Sequence, residues 1–304
     1  MRDAWPPLPF AAWEPTCSTL HLWTQIVGKL RLATAPMVNH WWQVPFYLTC
    51  RGLTTSPMPH GEECVQLDFD LIAHRLEILV SDGRRATLPL TAGSVANFYR
   101  DLMDRLRDLG IDIAIRTLPA EMPAGIAFEA DVQPRAYDPE WARRFWRVLL
   151  RADRLLKAFR GGFLGKASPV HFFWGSFDLA VSRFSGRRAP PHPGGVPHFP
   201  DWAAREAYSH EVSSCGFWPG NGGFGRAAFY SYAYPEPAGF AQAAIPAPAF
   251  YSSELREFVL PYDEVRELAD PDGAVLAFLR LTYVAEAEAG HWDRAALERA
   301  AAPA

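Results

Sequence analysis

Two ionisable side chains, His171 and Asp178, stand among large aromatic residues in the stretch SPVHFFWGSFDLAVSRFSGR, residues 168–187. An imidazole exchanges protons near neutral pH, and a carboxylate can orient an imidazole or anchor a substrate. We therefore predict catalytic roles for both residues. The structural alternative is a core histidine hydrogen-bonded to the backbone and an aspartate paired with Arg183 or Arg187.

A second pair, His210 and Glu211, lies in SHEVSSCGFWPG. Adjacent residues of a strand point to opposite faces, so one of the two must face inward, and we predict catalytic roles for this pair too. If this strand pairs with the strand of His171, two histidines and Glu211 or Asp178 form a set suited to a divalent metal ion. No single element carries a metal-ligand motif, so this set depends on an assumed strand pairing. The cofactor stays unknown, and a divalent metal held by His171, His210 and Glu211 is one alternative.

The chain is rich in aromatic residues, with 11 tryptophans, 20 phenylalanines and ten tyrosines. Such side chains suit ligand pockets as well as hydrophobic cores. We expect a pocket where the strands around residues 40, 171 and 210 converge. Its predicted substrate-binding residues are His40, Trp41, Trp174, Ser176, Arg183, Ser214 and Trp218.

One literal motif, GNGGFG at residues 220–225, matches the glycine pattern of dinucleotide-binding loops. That motif needs a strand before it and a helix after it. Here Pro219 precedes the glycines and the strand-like AAFYSYAY follows them. We therefore predict no nicotinamide or nucleotide site.

Composition and charge argue against nucleic-acid-binding, membrane and secreted proteins. The net charge of −4 over 304 residues gives no basic field for a nucleic acid or an anionic membrane surface. No window approaches 18 uninterrupted apolar residues, and the proline-broken amino terminus does not resemble a signal peptide. The four cysteines show no CxxC pairing, which fits free thiols in a reducing compartment. We expect a cytoplasmic protein whose partner is a small molecule, with the oligomeric state unknown.

Apolar spacing predicts the secondary structure. Helical periodicity favours helices over 18–33, 94–109, 139–160 and 271–287. The first of these carries His21, Gln25 and Lys29 on a second side, which is either solvated or one wall of a cleft. Strands are predicted in NHWWQVPFYLTC, CVQLDFDLI, HRLEILV, IDIAIRTL, the long stretch 168–187, YSHEVSSCGFW, AAFYSYAYPEP and 257–260.

These elements predict an α+β fold, with largely antiparallel sheets flanked by helices, in one domain over residues 1–304. Aligning His40 with His171 matches HWWQVPFYL to HFFWGSFDL. This match is compatible with an internal α-β-β-β-α duplication in two halves, 1–120 and 138–290, joined by an irregular connection over 119–138. Period-two patterning alone would also produce the phenylalanine and leucine matches.

Several long segments are similar to one protein family: HLWTQIVGK, VNHWWQVP, RGLTTSP, SPVHFFWGSFDLA, SRFSGR, SHEVSS, GFWPG and YAYPEP. On these segments the chain resembles the bacterial DUF5996 family, an uncharacterised group of about this length, over nearly the whole sequence. The resemblance implies a single-domain unit. It implies no activity, cofactor or catalytic residue.

Two functional hypotheses follow from the residues. The first is an enzyme that acts on a small molecule in an aromatic-lined pocket, with histidines and carboxylates exchanging protons or binding a metal. The second is a non-catalytic protein that binds an apolar or cationic ligand. The two differ in one structural requirement, because an enzyme needs at least two ionisable groups within reach of one cavity.

Overall fold

A computed structural model describes residues 5–122, 124–196 and 198–300. It confirms an α+β fold with two antiparallel sheets. Across these ranges no helix combines the length and the apolar character needed to cross a bilayer. The α-helices of the described residues are α1 Phe10–Thr34, α2 Val95–Asp108, α3 Pro139–Gly161, α4 Asp201–Ala207, α5 Tyr262–Arg266, α6 Pro271–Ala289 and α7 Arg294–Leu297.

The first sheet has six strands in the order β1-β2-β4-β5-β6, with β3 paired to β4. Its long central strand alternates buried and half-buried residues, which places one face on the core. The predicted antiparallel pairing of CVQLDFDLI with HRLEILV is confirmed, with Val65 opposite Val80. The strands are β1 Tyr47–Leu48, β2 Gly52–Thr54, β3 Met58–His60, β4 Glu63–Asp70, β5 Arg75–Val80 and β6 Arg85–Pro89.

The second sheet also has six strands, in the order β11-β12-β10-β9-β8-β7. One of its faces packs on α3 and α6. The two sheets meet where Phe46 and Phe172 exchange both backbone N–H···O hydrogen bonds, each 2.9 Å long. The strands are β7 His171–Phe173, β8 Asp178–Arg188, β9 His210–Trp218, β10 Ala228–Tyr234, β11 Phe250–Ser252 and β12 Glu257–Pro261.

Three helix predictions agree closely with the structure. The Ser94 hydroxyl caps α2 by accepting from the Asn97 backbone N–H. The Asp138 side chain caps α3, and Pro139 occupies its first turn. Helix α6 runs two residues beyond its predicted end.

Helix α1 begins eight residues earlier than predicted, because Pro15 lies inside it rather than ahead of it. Pro15 is in the second turn of the helix, where a proline removes one backbone hydrogen bond and its ring crowds the carbonyl four residues earlier. The second side of α1, with His21, Gln25 and Lys29, is buried, so the solvated alternative is wrong and the cleft-wall alternative holds.

Three strand predictions are wrong. Residues 39–41 form a 3-10 helix in which His40 and Trp41 have left-handed backbones, and only Tyr47–Leu48 of that stretch is a strand. Residues 111–117 form no strand. The predicted long strand over 168–187 is a hairpin, because the chain turns at 174–177 and Phe177 has a φ of 63°.

A duplication is not confirmed. Each half has six strands after a long helix, but in the second half α4 lies between β8 and β9, and the segments whose alignment suggested the relation fold differently. His40 lies in a 3-10 helix, whereas His171 begins a strand. The residues that match in the alignment therefore do not have the same backbone conformation.

Candidate functional site

A cavity of about 500 Å³ lies on the face of the second sheet opposite α3 and α6. Alternation along the strands decides which side chains reach it, because every second residue of a strand points to the same face. Cross-strand register adds the matching residues of the neighbouring strands. The sheet residues that line the cavity are Phe173, Asp178, Ala180, Ser182, Phe184, Val212, Ser214, Tyr230 and Tyr232.

Asp178 is the carboxylate of this face, and two hydroxyl groups hold it. Ser176 donates to Oδ1 and Tyr230 donates to Oδ2. Burial raises the pKa of Asp178, and the two hydrogen bonds oppose that rise. Asp178 is therefore fixed in position and easier to protonate than an exposed aspartate.

Gly216 allows Tyr230 to reach Asp178 across an intervening strand. Tyr230 belongs to β10 and Asp178 to β8, with β9 between them. A Cβ at Gly216 would stand 2.0 Å from the Leu179 carbonyl oxygen and 2.6 Å from the Tyr230 hydroxyl. Only glycine leaves the space that this hydrogen bond crosses.

A second carboxyl, Glu121, enters the cavity from the irregular segment before α3. Its place depends on Gly175, where a Cβ would stand 1.9 Å from Glu121 Oε1. Burial, followed by the charge of Asp178, raises the pKa of Glu121 to about 7. None of the described residues donates a hydrogen bond to this carboxyl.

Glu257 of β12 is a third carboxyl near this cluster. Burial and, after it, the charge of Asp178 raise the pKa of Glu257 to about 8. Asp178 thus acts on both glutamates. Glu121 and Asp178 line the cavity and Glu257 does not, but all three interact electrostatically, and we call them the carboxyl cluster (Glu121, Asp178 and Glu257).

Buried polar residues of α1 hold the Glu121 segment in place. The Gln25 amide accepts from Ala120 N at 3.0 Å and donates to Ala120 O at 2.9 Å. His21 Nε2 donates to the Gly175 carbonyl oxygen at 2.9 Å, and its ring stacks on Phe177. Burial lowers the pKa of His21 to about 4, so this imidazole is neutral at physiological pH.

A row of hydroxyl groups continues along the sheet face. Tyr208 and Tyr232 share a hydrogen bond of 2.8 Å, and Tyr232 is bonded to Ser214. The Ser214 and Ser182 hydroxyls are 3.1 Å apart. These hydroxyls satisfy one another, which allows a polar surface inside a mainly aromatic cavity.

The α1 side of the cavity carries Trp174 and two cations. Trp174 lies directly on Gly28, where a Cβ would stand 2.2 Å from the indole, and its Nε1 donates to Val44 O at 3.0 Å. Lys29 Nζ is 6.0 Å from the centre of the Trp174 ring. Burial and, after it, the charge of Arg116 lower the pKa of Lys29 to about 8.

The opposite wall consists of the 3-10 helix at 39–41 and α4. His40 Nδ1 donates to Ala207 O at 2.8 Å, and its Nε2 accepts from Lys166 Nζ at 2.8 Å. Trp41 Nε1 donates to Ala203 O at 3.1 Å. His40 is thus a neutral structural residue of the wall, and burial lowers its pKa further.

The structure does not bring the predicted histidines together. His171 faces Ala180 and His210 faces Arg188, and these partners are eight residues apart along β8. The His210 ring contacts His40 and the His171 ring contacts Trp42, but the two imidazoles do not contact each other. Across residues 5–122, 124–196 and 198–300 no group of three or more His, Cys, Asp or Glu side chains could hold a metal ion. The proposed set of His171, His210 and Glu211 is therefore not formed.

His171 and Glu211 have separate environments outside the cavity. His171 is buried among Tyr47, Trp42 and Phe173, and neither ring nitrogen has a hydrogen-bond partner among the described residues. Burial lowers its pKa to about 3. Glu211 pairs with Arg187 at 2.7 Å.

Three other predicted residues also lie outside the cavity lining. His210 packs edge-on against the His40 ring, with centroids 5.7 Å apart. Arg183 points to the opposite sheet face, where its guanidinium lies 3.4 Å from the centre of the Phe159 ring. Trp218 stacks on Phe224 and is not part of the cavity lining, although it shares the sheet face of Ser214.

Six predicted residues do line the cavity: Asp178, His40, Trp41, Trp174, Ser176 and Ser214. The sequence analysis did not identify Glu121, Tyr230 or Tyr232, and it named Lys29 only as part of a possible cleft wall. Strand alternation in AAFYSYAY places Tyr230 and Tyr232 on one face, so the sequence pattern could have identified these two residues. Glu121 had no such signal, because its segment has no periodicity.

Comparison with known proteins gives a family without a function. The model of DUF5996, a family of unknown function, matches residues 5–299. No curated protein matches the chain, and no solved structure does.

Proposed function

Since this chain belongs to the DUF5996 family, whose function is unknown, we propose its function from the chemistry of its cavity. The proposed function is that of an enzyme acting on a small organic molecule. The aromatic walls hold the organic part of the molecule, and Glu121 exchanges a proton with it.

One observation carries the proposal: two carboxyl groups with raised pKa values share one cavity, and one of them is free of hydrogen bonds from described residues. Asp178 is held by Ser176 and Tyr230, whereas Glu121 faces the cavity unbonded. A pKa of about 7 leaves Glu121 partly ionised at neutral pH. A group in that state can both accept and donate a proton.

The two carboxyls have different roles in the proposed reaction. The Glu121 carboxylate removes a proton from the bound molecule and becomes a carboxylic acid. It then returns that proton to the reacted molecule, so the enzyme ends unchanged. Asp178 is a positioning residue whose negative charge raises the proton affinity of Glu121.

The runner-up is non-catalytic binding of a small molecule. The hydroxyl row of Tyr208, Tyr232, Ser214 and Ser182 favours it, because these groups are bonded to one another and not poised for proton transfer. Both functions use the same cavity, and they differ in whether the bound molecule is consumed.

The experiment uses the full-length protein and the small-molecule extract of a bacterial cell, followed by mass spectrometry. We expect the wild type to consume at least one molecule, and Glu121→Gln to lose that turnover by about 10²-fold or more. Glu62→Gln is the matched control, because Glu62 is exposed in the first sheet's β3–β4 turn.

Two results would contradict the enzyme proposal. Turnover by Glu121→Gln at the wild-type rate would remove Glu121 from the reaction. A molecule that the wild type retains from the extract but never alters would favour the non-catalytic alternative.

The same proposal includes a cytoplasmic location and a small-molecule partner. The four cysteines, Cys17, Cys50, Cys64 and Cys215, are free thiols, which is typical of a reducing compartment.

A further inference from the structure

The carboxyl cluster lacks a counter-cation within the described part of the chain. No arginine or lysine among these residues forms an ion pair with Glu121, Asp178 or Glu257. Asp178 has only hydroxyl partners. The negative charge that these groups can carry is therefore not neutralised by a neighbouring side chain.

Other buried aspartates of this protein are neutralised. Asp70 pairs with Arg51 at 2.7 Å, and Asp153 pairs with Lys157 at 2.7 Å. Asp131 likewise pairs with Arg135 at 2.5 Å. Burial of an unpaired charge is costly, which is why buried carboxylates normally have such partners. Within the described residues, the carboxyl cluster departs from this pattern where the cavity of about 500 Å³ adjoins it, and buried Glu286 of α6, beside a smaller cavity, also has no ion pair.

Aromatic rings adjoin the cluster on the sheet side. Tyr230 and Tyr232 stack with centroids 6.0 Å apart, and Tyr208 bonds to Tyr232. The faces of aromatic rings attract cations within about 6 Å of the ring centre. Carboxylates next to tyrosine rings form the environment that recognises an ammonium group.

We infer that the cavity takes a ligand carrying a protonated amine or a quaternary ammonium group, seated between Asp178 and Glu121 with its organic part on the tyrosine rings. This inference rests on the proposed function and names the class of molecule that the site accepts. The bound cation supplies the counter-charge that the chain does not.

The two cations of the cavity wall fix the direction of the ligand. Lys29 lies at Trp174, and the charge that acts most strongly on it is Arg116 and not a carboxylate. Positive charge on the ligand is therefore repelled by Lys29 and Arg116 and attracted to Asp178. The amine end faces Asp178.

Three probes of similar size test this inference on the full-length protein: benzylammonium, benzyl alcohol and benzoate. Titration calorimetry at about pH 8, where Glu121 is ionised, gives their relative affinities. We expect benzylammonium to bind about tenfold tighter than either of the others. We also expect its binding to release protons, because a cation favours the ionised carboxyls.

Variants locate the binding. Asp178→Asn should weaken benzylammonium binding about tenfold and leave benzyl alcohol unchanged. Glu121→Gln is the second variant, in case the first does not fold, and it should weaken benzylammonium binding too. Glu62→Gln should bind all three probes as the wild type does.

Equal affinity for the three probes, or no binding of benzylammonium, would overturn the inference. None of these measurements involves turnover. If the cation preference is observed and no molecule is ever consumed, the enzyme proposal fails and the amine site stands. If Glu121-dependent turnover is found on a neutral molecule and the cation preference is absent, the enzyme proposal stands and the amine site fails.

Discussion

Glu121 keeps its proton at a higher pH than an ordinary glutamate because the fold buries its carboxyl beside Asp178. Folding therefore favours the protonated form, with a pKa of about 7 against the usual 4.5. Below the unfolded value both states are protonated and the shift has no effect on stability. Between the unfolded value of 4.5 and the folded value of about 7 the unfolded state ionises while the native state stays protonated, so stability falls over this range and the loss is complete above it.

Replacing Glu121 by glutamine should remove that cost. We expect Glu121→Gln to be more stable than the wild type at about pH 8, by about 1–3 kcal/mol, and equal to it near pH 4. Urea denaturation at both pH values measures the difference, with Glu62→Gln as a control that shows no such dependence. A destabilised Glu121→Gln at about pH 8 would mean that the carboxylate is satisfied in the fold.

The residue types of the site could be predicted from sequence only where they fell in a patterned stretch. Asp178 and Ser176 were found because an aspartate and a serine are conspicuous among aromatic residues in a strand-like segment. His171 was equally conspicuous, yet it lies at the covered edge of the sheet, beside Trp42 and Tyr47. Sequence shows which side chains can do chemistry but not which face a cavity.

Two glycines, one in the turn between β7 and β8 and one in β9, leave the space that side chains of the site occupy. Gly175 lies in the turn that separates β7 from β8, inside the stretch 168–187 that was predicted to be one long strand. The turn makes room for Glu121 and restarts the alternation at Asp178. The alternation of side chains along β8 and β9 was predictable from the sequence. The turn was not, because a glycine in a strand-like stretch can mark either a bulge within one strand or a bend between two.

Gly216→Ala tests the crossing of Tyr230 over β9. The added Cβ would meet the Leu179 carbonyl oxygen and the Tyr230 hydroxyl, so we expect a loss of about 1–3 kcal/mol and a displaced Tyr230. Thermal or urea unfolding measures the loss. Gly161→Ala is the control, because nothing lies within 4 Å of its Cβ position. Equal stability of both variants would show that β9 has room for a side chain at Gly216.

Helix α1 connects the site to the rest of the molecule. It is buried over most of its length between α2, α3 and the first sheet, and its side chains Thr19, Gln25 and Arg31 donate hydrogen bonds to backbone carbonyls outside the helix. An amphipathic pattern in the sequence left its second side ambiguous, since a buried polar face and a solvated one have the same spacing. The fold class was predictable because strand alternation and helical periodicity are local. The way in which α1, the Glu121 segment and the second sheet come together could not be predicted, because it depends on contacts between residues far apart in the sequence.

Gln25→Ala should release the Glu121 segment from α1. It leaves the Ala120 N–H and C=O without their partner, and we expect a cost of about 1–3 kcal/mol. Hydrogen exchange should speed up around residue 120 in this variant. Glu14→Ala, an exposed change on the same helix, should leave exchange there unchanged. Unaltered exchange in Gln25→Ala would mean that other contacts hold the segment.

The central claim is that Glu121 is a carboxyl with a raised pKa beside a cation site. Carboxyl NMR tests this claim most directly, because it needs no substrate. In protein labelled with ¹³C at the glutamate carboxyls, the resonance that disappears in Glu121→Gln should titrate with a midpoint of about 7. Benzylammonium should move that midpoint downward. A Glu121 carboxyl that titrates at the ordinary glutamate value, and does not respond to benzylammonium, would contradict the account.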